Sequence, residues 1–369
     1  MLNRRGFLAR SVGATLALGL PAFGRSPAKA EIDDMVVAAV GTHSETAGIF
    51  AVLIDEFGSH SVAHGHSGSP DNFRMADDTV FEIGSLTKVF TALILADMSA
   101  RGEVALTDPV AKYLPASVRL PQLHAPIKLL DLATYTSGLP NVPWNLKFDW
   151  RNPYADYTVD ELYAFLDELG DPRYETGTHY AYANVGFGLL GIALARRAGM
   201  SFEELMIDRI CKPLKLRSTR ITLTDRMRRH MAQGHNFKFK PVGLWDMPAL
   251  AGAGAARSTA EDMTVFLRAC LGLQQTSLAA SFNRLLETRR PTVVAGTDVG
   301  LGWFISSDPS EEIVWKAGQT GGFATNIAFS TRTRRGSLVL SNGGFDATGL
   351  GFKLINPDFR PGELVALYR

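Results

Sequence analysis

Ser85-Leu86-Thr87-Lys88 places a hydroxyl and an amine three residues apart, directly after Phe81-Glu82-Ile83-Gly84 and at the head of an apolar run. If that run is helical, positions i and i+3 share a face and the lysine amine comes within reach of the serine hydroxyl. A serine hydroxyl becomes a useful nucleophile only when a neighbouring base takes its proton. Lysine serves as that base only when neutral, which requires burial or nearby cations. A helix N-terminus also presents backbone N–H groups to an oxyanion. Alone, the four-residue pattern is weak: Ser26-Pro27-Ala28-Lys29 fits it too, and a helix-capping serine beside a solvated lysine explains it better.

Two further groupings follow in order. Tyr182-Ala183-Asn184 precedes an apolar helix, Val185–Arg197, and Lys316-Ala317-Gly318 lies on a late strand, followed by Gln319-Thr320-Gly321-Gly322-Phe323. Each has a plain structural explanation when read singly. Tyr182 is then a core aromatic, Asn184 a helix cap, and Lys316 a lysine that keeps a strand edge from pairing.

The elements that must hold these residues are readable from hydrophobic period and turn chemistry. Ile49–Asp55 and His60–Gly65 form a hairpin around Glu56–Ser59. Leu86–Met98 is an amphipathic helix, with Leu86, Val89, Phe90, Leu93, Ile94 and Met98 on one face and Gly102 beyond its end. The middle of the chain is helical, with capping boxes at Thr158/Glu161, Ser201/Glu204 and Ser258/Glu261, and stops at Gly170, Gly199 and Gly272. Residues 140–153, with three prolines and two tryptophans, form a surface loop of the kind that lines sites. Leu301–Ile305, Ile313–Lys316, Ala324–Ser330 and Ser337–Ser341 are short strands. Strands at both ends and helices between predict an α+β fold, with an antiparallel sheet flanked by helices and an inserted, mostly helical lobe. The expected division is residues 31–80 and 297–369 for the sheet lobe and 81–296 for the helical lobe, as one catalytic domain.

In this order and setting, the chain resembles the class C β-lactamases, the low-molecular-mass penicillin-binding peptidases and the β-lactamase-like esterases. The likeness runs from about Val37 to the end. Phe81–Lys88 resembles the family's nucleophile signature, and Leu132-Ala133-Thr134-Tyr135-Thr136-Ser137-Gly138-Leu139-Pro140 is similar to a second family segment, with Tyr135 where His is usual. Gly252-Ala253-Gly254 and Ser258–Met263 resemble a third stretch. The resemblance implies that Ser85 attacks a carbonyl to form an acyl-enzyme, and that Lys88 and Tyr182 share the general-base role, with Lys88 and Lys316 as flanking cations that lower the phenol pKa. It implies that Asn184 binds the substrate amide and orients Lys88. The resemblance further implies that backbone N–H groups of Ser85 and Gln319 form the oxyanion hole, and that Lys316, Ala317, Gly318, Gln319 and Thr320 form the substrate-binding strand, where Lys316 attracts a carboxylate. Ala317 departs from the family's threonine. The missing hydroxyl removes one hydrogen bond to a substrate carboxylate, about 1 kcal/mol or somewhat more, and counts against efficient β-lactam hydrolysis.

The remaining features bound the function. The chain has 369 residues, 46% of them apolar, enough for a full core. With 38 basic against 37 acidic residues, nothing favours nucleic acid or an anionic membrane surface. Arg4-Arg5-Gly6-Phe7-Leu8, the apolar run Val12–Leu20 and Ala28-Lys29-Ala30 read as a twin-arginine export signal over residues 1–30, cut before Glu31 and delivering the protein to the periplasm. Its apolar run is too short to span a membrane stably. Cys211 and Cys270 sit in apolar stretches and read as buried thiols rather than a disulfide. His60, His64 and His66 lack the Cys or Glu partners of a zinc site, so no metal is expected. Gly252–Ala256 lacks the third glycine of a dinucleotide loop, so no cofactor is expected, and no Gly-x-Ser-x-Gly elbow occurs. The expectation is an exported, monomeric serine hydrolase acting on a small β-lactam, D-Ala-D-Ala peptide or ester. A class C-like β-lactamase comes first, then a D-alanyl-D-alanine carboxypeptidase or endopeptidase, a carboxylesterase, and last a non-catalytic sensor.

Overall fold

The computed structural model describes residues 27–368 except 72, 122, 123, 148 and 150. The Arg4-Arg5 pair and the run Val12–Leu20 lie outside the described residues. Among the described residues the ten strands are β1 (Gly48–Asp55), β2 (Gly58–Gly65), β3 (Val80–Glu82), β4 (Arg257–Thr259), β5 (Arg290–Pro291), β6 (Thr297–Val299), β7 (Phe304–Ser307), β8 (Glu312–Gln319), β9 (Ala324–Ser330) and β10 (Arg335–Ser341). Eight form one antiparallel sheet in the order β2-β1-β10-β9-β8-β7-β6-β5, so strands from the two ends of the chain meet where β1 pairs with β10, Ile49 opposite Ser341. β3 and β4 form a separate pair beside it.

β1 is apolar on both faces because both are covered. Ile49, Ala51 and Leu53 pack with Ile32, Val36 and Val40 of helix Lys29–Val40 and with Leu350 and Leu354 of helix Ala347–Ile355. Phe50, Val52 and Ile54 face the main core. Burial on two faces replaces the alternation of a half-exposed strand.

Several sequence expectations shift in detail. The helix after Ser85 runs Thr87–Ala100, and every residue from Thr87 to Met98 is buried. It is therefore a core helix wedged between the sheet and the helical lobe rather than an amphipathic one. The boxes at Thr158/Glu161 and Ser201/Glu204 cap helices as expected. The third moves by one residue: Thr259 caps helix Ala260–Cys270 through Asp262 N–H, while Ser258 pairs with Phe81 and its hydroxyl meets Thr219 at 2.8 Å. A strand beginning at Leu301 is displaced to Phe304, because Gly302 (φ +76°) turns the chain tightly against the Lys88 carbonyl. Both cysteines are unpaired, and burial pushes the Cys211 thiol up to about 12. Among the described residues, no single helix is long and apolar enough to cross a membrane.

Candidate active site

The nucleophile sits on a turn that two close approaches hold in place. β3 ends in a tight 3-10 turn, Gly84–Leu86, which feeds helix Thr87–Ala100. Gly84 has φ +51°, and a side-chain carbon there would lie 2.7 Å from the Gln319 nitrogen. A carbon on Gly318 would lie 2.0 Å from the Ile83 carbonyl. Only glycine at both positions lets β8 run this close to the serine turn. Thr87 Oγ1 donates to Gly84 O at 2.7 Å and accepts from Ala256 N at 3.1 Å, and Thr325 Oγ1 donates to Ile83 O at 3.0 Å.

Lys88 is wholly buried, and its Nζ lies 2.9 Å from Ser85 Oγ, 2.6 Å from Asn184 Oδ1 and 2.7 Å from Ala253 O. Asn184 opens helix Asn184–Ala198 and is anchored by its N–H to Asn141. Ala253 arrives on the short helix Ala251–Gly254, whose Gly252 backbone nests against Gly191. The two carbonyl-type oxygens only accept. Burial holds the Lys88 pKa well below its usual value, which favours the neutral amine. An amine with both N–H groups given to Asn184 and Ala253 turns its lone pair to Ser85.

The Tyr182 hydroxyl donates to Ser85 Oγ at 2.9 Å. The sequence expectation that flanking cations lower its pKa does not hold: burial raises it, and the phenol stays protonated. Lys316 is itself buried and held well below its usual pKa, first by burial and then by Lys88. Its Nζ donates to Tyr135 Oη at 2.7 Å instead of Tyr182 Oη, and lies 4.8 Å from the Tyr182 ring centre. Tyr135, at φ +55°, stacks on Tyr182 with ring centres 4.7 Å apart.

The structure thus brings Ser85, Lys88, Tyr182 and Asn184 together around one groove of about 750 Å³, with Ala317, Gly318 and Gln319 along one wall. Three of the sequence candidates do not line it: Lys88, which meets Ser85 from beneath, Lys316 and Thr320. Lys316 is fully buried, and Thr320 is buried off the groove wall with its hydroxyl unpartnered. The sequence does not mark the Ala253 carbonyl, Tyr135 or Asn141 as site groups, although Tyr135 and Ala253 lie in the family-like segments and Asn141 in the loop 140–153. Tyr368, which also lines the groove, carried no sequence signal.

A Ser–Lys–Tyr cluster at the seam of an antiparallel sheet and a helical lobe marks a serine hydrolase of the β-lactamase and penicillin-binding-protein type. The family model for beta-lactamases matches residues 33–351, and the chain belongs to that family. It is 31% identical over 316 residues to the D-alanyl-D-alanine-carboxypeptidase/endopeptidase AmpH of Escherichia coli K12, covering 80% of each chain. It is 30% identical over 304 residues to a beta-lactamase of the same strain, covering 73% of this chain and 76% of that one. Among solved structures, a beta-lactamase/D-alanine carboxypeptidase from Yersinia pestis, complexed with citrate, superposes with TM-score 0.75 at 26% identity, over 92% of this chain and 99% of that one.

Proposed function

We propose that the protein is an exported periplasmic hydrolase that forms an acyl-enzyme on Ser85, with the amides of β-lactams and D-alanyl peptides as its substrate classes and β-lactam hydrolysis first among them. Residues 31–369 act as one monomeric catalytic unit. The observation that carries the reading is that Ser85 Oγ meets both Lys88 Nζ and Tyr182 Oη at 2.9 Å in a buried setting.

The protonation states set the order of steps. The Ser85 proton moves to the Lys88 amine as Oγ bonds to the substrate carbonyl carbon. The resulting oxyanion is received by the backbone N–H groups of Ser85 and Gln319, which the Gly84 and Gly318 contacts keep close together. Collapse breaks the bond to the leaving group, which takes the Tyr182 proton. That leaves a phenolate beside an ammonium, a pair the low-dielectric site tolerates better than either charge alone. In deacylation, the phenolate takes a proton from water as the water oxygen bonds to the acyl carbon. The Ser85–acyl bond then breaks, and Lys88 returns its proton to Oγ. Asn184 holds the Lys88 amine in place and offers its amide N–H to the substrate.

A second reading, ester hydrolysis, is favoured by Ala317, whose methyl lines the groove where a hydroxyl would bind a carboxylate. Intact-mass measurement with excess benzylpenicillin tests the shared mechanism. A fleeting or lasting penicilloyl adduct on Ser85, absent in Ser85→Ala, is the expected result. Penicillin or ester turnover that survives in Ser85→Ala defeats the proposal.

A further inference from the structure

We infer that Glu82 is a buried charge control on acylation: carrying its proton, it leaves the oxyanion at Ser85 unopposed, and without it, it sets a second negative charge nearby, so that acylation slows as Glu82 ionises. The inference rests on the acyl-serine reading and adds a regulating group to it.

Glu82 closes strand β3, three residues ahead of the nucleophile, and is almost wholly buried. Its Oε1 accepts the Trp245 N–H at 2.7 Å and faces Arg257 Nη2 at 3.5 Å, across the β3–β4 pair in which the two residues are register partners. The Trp245 indole lies against Gly321, where a side-chain carbon would come within 2.7 Å of its Nε1. Gly321 is two residues past Gln319, and the Ile83 carbonyl, next to Glu82 in the chain, abuts Gly318. The carboxyl is thus held between the two segments that supply the oxyanion N–H groups.

The other carboxyl oxygen is the one that titrates. Oε2 has no hydrogen-bond partner among the described residues, so it takes the proton while Oε1 keeps its bond to Trp245, and the packing survives in either state. Burial raises the Glu82 pKa to about 7, although Arg257 pulls it the other way. Among the described residues, the charged groups that act on it are Arg257, on β4, and Asp246, next to Trp245. Arg257 is largely engaged elsewhere: Nη2 donates to Trp245 O at 2.7 Å and to Asp246 Oδ1 at 2.9 Å, and Nη1 donates to Ile221 O at 2.7 Å. Ionised Glu82 therefore leaves one guanidinium between two carboxylates, and the cluster passes from neutral to one net negative charge. In a buried setting that charge is weakly screened and opposes the oxyanion as it forms.

The test is the pH dependence of kcat/KM for benzylpenicillin, or of the rate of adduct formation on Ser85 where deacylation is slow, since both report acylation. Wild type and Glu82→Gln are compared from about pH 5.5 to about pH 8.5, because glutamine keeps the acceptor for Trp245 and cannot ionise. The ratio of wild type to variant cancels the titration of Lys88. It is expected to be constant at the acid end and to fall about five-fold across a midpoint of about 7. Asp246→Asn removes the carboxylate that opposes ionisation and frees Arg257 for Glu82, so it should move the fall in an otherwise wild-type profile to lower pH by about half a pH unit. This second variant decides the question if Glu82→Gln does not fold. A ratio that stays flat or rises with pH overturns the inference while adduct formation on Ser85 keeps the mechanism, as does a fall unmoved by Asp246→Asn. No turnover and no adduct on Ser85 at any pH removes both.

Discussion

The sharpest consequence of the site is a proton-linkage effect at Lys88. Its amine is fully buried and surrounded by Ser85, Asn184 and Ala253, and burial depresses its pKa well below 10.5. An unfolded lysine keeps its proton up to its ordinary pKa, whereas the folded one has released it. Between the folded and unfolded values, therefore, the unfolded chain binds one more proton, and stability rises with pH. The penalty is present at lower pH and is relieved as pH rises through the unfolded value. Lys88→Met removes the titrating group, so its stability relative to wild type should fall as pH rises. The slope is about 1.4 kcal/mol per pH unit for one proton, or about 3 kcal/mol between about pH 7.5 and about pH 9.5. Loss of the bonds to Asn184 and Ala253 adds an offset that does not vary with pH. The thiols and phenols titrate alike in both proteins and cancel in the difference, and because Lys88 also holds down the Lys316 amine, both proteins carry Lys316→Met so that only Lys88 titrates between them. Urea unfolding of the two proteins at the two pH values reads the slope. A difference that stays flat means Lys88 carries the same charge folded and unfolded, and the neutral-amine base would be wrong.

Other consequences are read more directly. Tyr182→Phe removes the proton donor to the leaving group and should lower the acylation rate for an amide or β-lactam by about 10²–10⁴-fold, with a much smaller loss in the acylation (nitrophenolate burst) rate for a p-nitrophenyl ester, whose leaving group needs no proton. Equal losses on both substrates would remove Tyr182 from that role. Gly318→Ala forces a carbon against the Ile83 carbonyl and should cost about 1–3 kcal/mol in stability together with most acylation, read by thermal melting and adduct formation. An active, fully stable variant would show that β8 does not need this contact. Tyr135→Phe leaves the buried Lys316 amine without its 2.7 Å acceptor and should destabilise the protein by about 1–3 kcal/mol, checked by urea unfolding. An unchanged midpoint would mean that Lys316 finds another partner.

Local chemistry was legible in the sequence wherever it depends on neighbours in the chain. The Ser85/Lys88 spacing, the helix that follows, the caps at Thr158 and Ser201 and the β1–β2 hairpin all follow from short-range periodicity and turn residues, and the order of the three motifs carried the family likeness. Tertiary structure decided the rest because it rests on contacts far apart in sequence and on burial. Asn184 and Ala253 reach Lys88 across 96 and 165 residues, and only their convergence turns the lysine lone pair toward Ser85. The protonated state of Tyr182 follows from desolvation, which no spacing encodes. Lys316 sits where the motif predicts, yet it is fully buried and its amine is bonded to Tyr135 rather than lining the groove. Whether a charged side chain can meet a substrate depends on what covers it, and that is set by how distant segments pack.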